Sequence, residues 1–172
     1  MNLIIQVLGI LGTVFSLILF HKKDMNNILK VKLMVDIIWG AHYLLLGATA
    51  GLITNVVCCL REVVFLNRNK KLFSGDWWIV IFVLLNWILI FFTNRNIYSF
   101  LPAVVSTLAT YSFWQKSPQR ARIIGITNNA LMFTYNIFAA SYAGMVNESL
   151  ALISTLSALI INKKRKNKGL EK

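Results

Sequence analysis

Forty consecutive residues, 123 to 162, contain no lysine or arginine. As one α-helix they would reach roughly 60 Å, about twice the hydrocarbon thickness of a bilayer. The chain must fold back within this stretch, and the place to turn is near Ser141 to Asn147, the sequence SYAGMVN. Other apolar runs cover 3–20, 77–93 and 97–114, with a further stretch over 33–67. Runs of this length read as membrane-spanning helices rather than as the short alternating segments of a soluble domain. Of the 172 residues 57% are hydrophobic and only 14% charged, where soluble domains have about a quarter. The chain is read as a polytopic integral membrane protein.

The two halves match when shifted by 93 places without gaps. Leu8 then faces Leu101, Phe20 faces Phe113, and Lys23 faces Lys116. Ala50-Gly51 falls on Ala143-Gly144, and Asn69-Lys70-Lys71 on Asn162-Lys163-Lys164. Apolar runs, turn and basic ends agree in one register, the mark of an internal repeat. If the second copy turns at Ala143-Gly144, the first should turn at Ala50-Gly51. Seven helices follow, at about 3–20, 31–48, 51–67, 77–93, 97–114, 122–141 and 146–162.

Charge distribution tests the count. Lys22, Lys23, Lys30 and Lys32 form one cluster, and Arg68, Lys70 and Lys71 a second. Lys116, Arg120 and Arg122 form a third, and the tail from Lys163 to Lys172 holds six more. Seven spans put these sixteen of the 18 basic residues on one side. The positive-inside rule makes that side cytoplasmic, so the N-terminus lies outside and the C-terminus inside. Topology thus accounts for the net charge of +12, and no nucleic-acid partner is expected. The first apolar run precedes its charges, unlike a signal peptide, and is expected to be a retained helix. His21 borders the first basic cluster and is read as interfacial.

The plan is an all-α transmembrane fold of two parallel three-helix repeats joined by a linker helix. The divisions are 1–71 for the first repeat, 72–95 for helix four, 96–162 for the second repeat and 163–172 for the tail. Helix four, WWIVIFVLLNWILIFF, has no small residue for close contact and only Asn86 is polar, so it is expected to face lipid. Trp77, Trp78 and Trp87 read as interfacial anchors or lipid-facing bulk.

This 3+1+3 plan resembles the SWEET/PQ-loop (MtN3-like) superfamily of sugar and small-solute transporters. More closely, GAHYLLLG (Gly40 to Gly47), CLREVVFLNR (Cys59 to Arg68) and YNIFAASYAGMVNES (Tyr135 to Ser149) look like the YgjV-type bacterial inner membrane protein family. The resemblance runs over nearly the whole chain. It implies a bacterial inner (cytoplasmic) membrane location, and through the superfamily it implies alternating-access transport. Two features depart from the superfamily. The one proline–glutamine dipeptide, Pro118-Gln119, is expected in a cytoplasmic loop, and Pro102 has Gly9 as its repeat counterpart.

Polar residues in hydrocarbon are costly and tend to face a cavity or one another. Asp36, Trp39, Gly40 and Tyr43 share a face of helix two by their spacing. Their counterparts on helix six are Asn129, Met132, Phe133 and Asn136. Asn55, Cys58, Cys59 and Glu62 share a face of helix three, matched on helix seven by Glu148, Ala151, Leu152 and Thr155. Each is open to two readings, solute contact or hydrogen bonding between helices. Asp36 is one turn from Lys32 and has an ion pair as its alternative. The Cα directions of Arg61 and Glu62 are about 100° apart, so each is expected to find its partner on another helix, or Arg61 to snorkel inward. His42, with Tyr135 as its counterpart, lies off the Asp36 stripe. It reads either as a structural hydrogen bond or as a solute- or proton-handling group.

The candidate pathway residues are Asp36, Trp39, His42, Tyr43, Asn55, Glu62, Asn129, Tyr135, Asn136 and Glu148. The leading expectation is a transporter or facilitator of a small polar solute, sugar-, vitamin- or metabolite-like. The second is a non-transporting receptor or accessory subunit using the same cavity. Enzymatic function is not expected, because there is no HExxH, no GxSxG, no P-loop and no nucleophile–base pair. Neither metal nor cofactor is expected: Cys58 and Cys59 are adjacent, without a second pair at ligand spacing. A homo-oligomer stays open, although a fused pair of triplets makes a monomer sufficient.

Overall fold

A computed structural model describes residues 3–20, 22, 24–93, 96–115 and 117–167, and within these the side chains other than those at 20, 93, 118, 119 and 158–167. His21, Lys23, Arg95, Lys116 and residues 168–172 lie outside the described residues. Among the described residues the chain is all-helical, with seven α-helices and no strand: α1 Leu3–Phe20, α2 Met25–Leu46, α3 Thr49–Leu66, α4 Trp77–Thr93, α5 Leu101–Trp114, α6 Pro118–Phe138 and α7 Tyr142–Asn167. Short 3-10 turns over Lys71–Phe73 and Ile97–Phe100 precede α4 and α5.

The bounds of α1 and α4 agree with the apolar runs, but the turns move. α2 begins at Met25 because Asp24 caps it, its carboxylate accepting from the Asn27 amide at 3.0 Å. α2 ends at Gly47, whose φ of 70° is the left-handed conformation that glycine adopts at low cost. The matching turn carries Ala140 at φ 51°, and the two positions are 93 apart. Ala50-Gly51 and Ala143-Gly144 are therefore not the turns but the opening residues of α3 and α7. They serve close packing instead. A Cβ on Gly51 would lie 2.7 Å from the Tyr43 ring, and one on Gly144 would lie 2.5 Å from the Asn136 amide.

α1 packs on α2 and α7, while α5 packs on α6 and α3. With α2 on α3 and α6 on α7, six helices close on one another, and α4 lies against α3 and α5. α4 is not wholly outward. Phe82, Asn86 and Ile90, one face at i, i+4, i+8, are buried. Trp87 is neither an anchor nor outward bulk, since its indole N–H donates to Thr107 Oγ1 at 3.0 Å on α5.

The bundle's polarity is the reverse of a water-soluble domain. Large apolar side chains such as Leu3, Ile10, Phe91 and Phe92 are exposed, Phe92 to 81%. Asp36, His42, Arg61, Glu62, Asn86 and Asn136 are all at 2% or less. Such an exterior suits an apolar solvent, with polar groups turned inward. By length and hydropathy alone, one helix among the described residues, Thr49–Leu66, could cross a membrane; Leu3–Leu19 and Trp77–Phe92 are apolar but shorter. α2 and α6 fall below that measure because they carry inward polar side chains, Lys32 and Asp36 on one, Asn128 and Asn129 on the other.

Two glycines separate close packing from helix propensity. Gly51→Ala is expected to lower unfolding stability in detergent by about 1–3 kcal/mol through overpacking on Tyr43. Gly125, where an added Cβ meets nothing within 4 Å, is expected to gain about 0.5–1 kcal/mol on Gly125→Ala. Equal effects at both positions would contradict the packing role of Gly51.

Candidate functional site

Helical spacing brings Lys32, Asp36, Trp39 and Tyr43 to one face of α2, and that face borders a cavity of about 200 Å³ between the helices. α3 contributes Thr54, Asn55 and Cys58; α6 contributes Asn128, Asn129 and Met132. α7 adds Asn147, Glu148, Ala151 and Thr155, with Ser16 from α1 and Ser106 from α5. The cavity extends toward Lys22, between α1 and α2, and Arg122, near the start of α6. There the Arg122 guanidinium donates to the Lys22 carbonyl at 3.4 Å.

Many lining residues stand 93 apart. Lys32 and Gly125, Val35 and Asn128, Asp36 and Asn129, and Trp39 and Met132 all line the space, as do Thr54 and Asn147, Asn55 and Glu148, and Cys58 and Ala151. Two of these pairs join an acid to an amide, in opposite senses: Asp36 on α2 with Asn129 on α6, and Glu148 on α7 with Asn55 on α3.

Polar atoms at this cavity are only partly partnered. Lys32 forms an ion pair with Asp36 Oδ1, one turn along the helix. Asp36 Oδ2 has no partner among the described residues, and neither do Asn128 Oδ1, Asn129 Nδ2 and Thr155 Oγ1. Glu148 Oε1 accepts from Asn147 Nδ2 at 3.0 Å, while Asn55 Nδ2 is spent on the Gly51 carbonyl of its own helix at 2.8 Å. A buried polar atom without a partner costs about 1–3 kcal/mol. Clustered acceptors and donors of this kind suit water or a polar solute.

Of the candidates, Asp36, Trp39, Tyr43, Asn55, Asn129 and Glu148 line the cavity; His42, Glu62, Tyr135 and Asn136 do not. Three of the latter belong to a seam that adjoins the cavity at Tyr43. Tyr43 donates its hydroxyl to Asn136 Oδ1 at 2.7 Å, joining two residues that are 93 apart. The Gly51 amide donates to Tyr135 Oη at 2.9 Å, so α6 caps an N-terminus of α3 that Ala48 leaves without a side-chain acceptor. His42 Nε2 lies 2.9 Å from Ser141 Oγ and Nδ1 lies 3.1 Å from the Ile5 carbonyl. A carbonyl only accepts, so Nδ1 carries the proton and Nε2 accepts from Ser141. Ser141 Oγ in turn accepts from the Gly144 amide at 3.2 Å, capping α7. His42 and Tyr135 are thus counterparts in position, and each supports the opening turn of a helix in the other half.

Glu62 sits apart, fully buried, against Arg61. The expectation that neighbours on one helix could not pair is overturned: Arg61 Nη2 donates to Glu62 Oε1 at 2.7 Å. The reason is reach, since the flexible arginine stem curls around the helix although its Cα direction points elsewhere. Arg61 Nη1 also donates to Thr110 Oγ1 at 2.9 Å and to the Ser106 carbonyl at 3.3 Å on α5. Nor does Arg61 snorkel, being 1% exposed. Lys32, Thr54, Asn128, Asn147 and Thr155 were missed as lining residues. The shift of 93 already pairs Thr155 with Glu62 on the polar face of helix seven, whereas Thr54 and its counterpart Asn147 carry no such signal, and Lys32 reads from sequence as a topology charge and the ion-pair alternative for Asp36.

Removing one partner of a buried ion pair strands the other. Arg61→Ala is expected to cost about 3–5 kcal/mol in thermal or denaturant unfolding, and Arg61→Met with Glu62→Gln distinctly less. A double variant as unstable as the single would contradict the pairing.

A profile of the Imp-YgjV family, described as Bacterial inner membrane protein, matches residues 3–166. Neither the curated proteins nor the solved structures contain a match to the chain. The match spans nearly the whole bundle, including every residue of the cavity and of the seam, and the chain belongs to the Imp-YgjV family of bacterial inner membrane proteins.

Proposed function

We propose that the chain carries a small polar solute across the inner membrane, by alternating access between two helix triplets, α1–α3 and α5–α7, linked by α4. The observation that carries this reading is the cavity, walled by both triplets and holding unpartnered acceptors and donors inside an apolar-clad bundle. Each such atom costs stability unless a ligand or water meets it, and Asp36, Asn128, Asn129 and Thr155 bring four of them to one space.

Three further features support it. Lining residues recur at a spacing of 93, as expected of two parallel repeats around a central route. The left-handed turn residues Gly47 and Ala140 obey the same spacing. The seam of Tyr43, Asn136, His42 and Tyr135 closes one end, while the other end leads to Lys22 and Arg122. In the seven-span topology, with the N-terminus outside, that basic end is cytoplasmic and this conformation faces inward. The multi-pass reading rests on where polar side chains point, more than on hydropathy. Carriage requires no bond chemistry, and none is assigned to the chain.

Uptake into proteoliposomes, screened against sugars, vitamins and amino acids, tests the proposal. At least one solute should accumulate faster than in empty vesicles. Asn136→Ala, which takes the acceptor from Tyr43, should reduce that flux by about tenfold, the equivalent of one buried hydrogen bond. Saturable binding with no flux for any solute would reject carriage and favour a receptor. For topology, a fluorescent protein fused to the C-terminus should fluoresce and a fused alkaline phosphatase stay inactive; the reverse would overturn the orientation.

A further inference from the structure

We infer that the solute is a small zwitterion of the amino-acid class, held with its ammonium toward Glu148 and Asp36 and its anionic group toward the basic rim. This rests on the carrier reading for where the solute goes, but not for what binds. The cavity's charges are ordered along its length. At the rim stand Lys22 and Arg122, followed by Lys32 with Asp36, and then Glu148. With a rise of 1.5 Å per residue, Glu148 lies about 9 Å from the start of α7 and Asp36 about 15 Å from the end of α2, both beyond the rim toward the closed end.

Each simpler solute leaves a charge uncompensated. Among the described residues Glu148 has no cation within 4 Å, and its Oε1 accepts from the Asn147 amide. Asp36 is 2% exposed, and its second carboxylate oxygen is unpartnered. A neutral polyol would occupy the cavity without neutralising Glu148, and a lone anion would meet it as a like charge. A lone cation would have to pass Lys22, Arg122 and Lys32. An ammonium donates to Asp36 Oδ2 and to Glu148, as charge-assisted hydrogen bonds prefer. The Trp39 and Tyr43 rings beside it suit a cation as well. At the other end of the same molecule, a carboxylate takes the Lys32 ammonium protons that Asp36 Oδ1 leaves unused. About 200 Å³ is below the size of drug-like pockets, roughly 300–1,000 Å³, which favours a solute of few heavy atoms.

The test uses the full chain in detergent, with thermal unfolding read against millimolar L-alanine, L-serine, L-alaninamide, lactate and glucose. The two zwitterions should raise the unfolding midpoint, and alaninamide, lactate and glucose should raise it far less. Glu148→Gln should weaken zwitterion binding by about tenfold, with Glu148→Asp recovering most of it. The inference is overturned if glucose or lactate stabilises the chain more than either zwitterion, or if neither zwitterion stabilises it. It is overturned too if Glu148→Gln binds as tightly as the parent while melting normally. Zwitterion binding without liposome flux would leave the ligand class standing and reject carriage, so the two failures can be told apart.

Discussion

A polar group inside an apolar-clad helix bundle has no bulk water to fall back on, so its partner must come from the protein, and often from another helix. That constraint fixes how the helices of this chain are rotated against one another. Tyr43 meets Asn136, Tyr135 meets the Gly51 amide, His42 meets Ser141, and Thr54 meets Asn86 at 3.3 Å. Arg61 and Glu62 bring a complete ion pair to the face of α5. Each contact pins one helix pair, and the close approach of Gly51 and Gly144 to the partners in the seam makes that seam tight.

The cavity gathers four places where the same constraint is left unmet. Asp36, Asn128, Asn129 and Thr155 each keep an atom without a partner, and all four border one space. Elsewhere some buried polar groups are paired across helices, as when Ser141 links His42 to the Gly144 amide, while Arg61 Nε, Glu62 Oε2, Asn86 Nδ2 and Asn136 Nδ2 have no partner among the described residues. The seam bonds Tyr43, Tyr135 and His42 across the two halves, while the cavity keeps four unpartnered atoms on one space. On the carrier reading proposed above, opening the seam would expose those polar atoms to the other side.

Much of this was legible in the sequence where one physical signal acted alone. α1 and α4 are apolar runs bounded by polar residues, and their limits agree with the structure. The repeat spacing led to the lining of α6 and α7 through Asn129 and Glu148. Where two roles compete for one residue type, the reading slipped. From the sequence Gly51 and Gly144 read as turn formers, yet they are needed for contact with Tyr43 and Asn136, while Gly47 and Ala140 make the turns. Lys32 was counted toward topology and proves to face Asp36 inside the bundle. The role of His42 depends on Ile5 and Ser141, 37 and 99 residues away, which no pattern on α2 can reveal. Arg61 shows the limit of wheel geometry, because a long side chain is not bound by its Cα direction.

The claim on which the account turns is that the closed end opens. Leu44 and Ile137 are exposed near the seam, one on each triplet, and 93 residues apart. Spin labels at these two positions in lipid nanodiscs report the separation of the triplets at that end. With a transported solute present, alternating access requires two resolved distances whose populations shift with solute concentration. A single distance, unchanged by any solute that the liposomes take up, would contradict it.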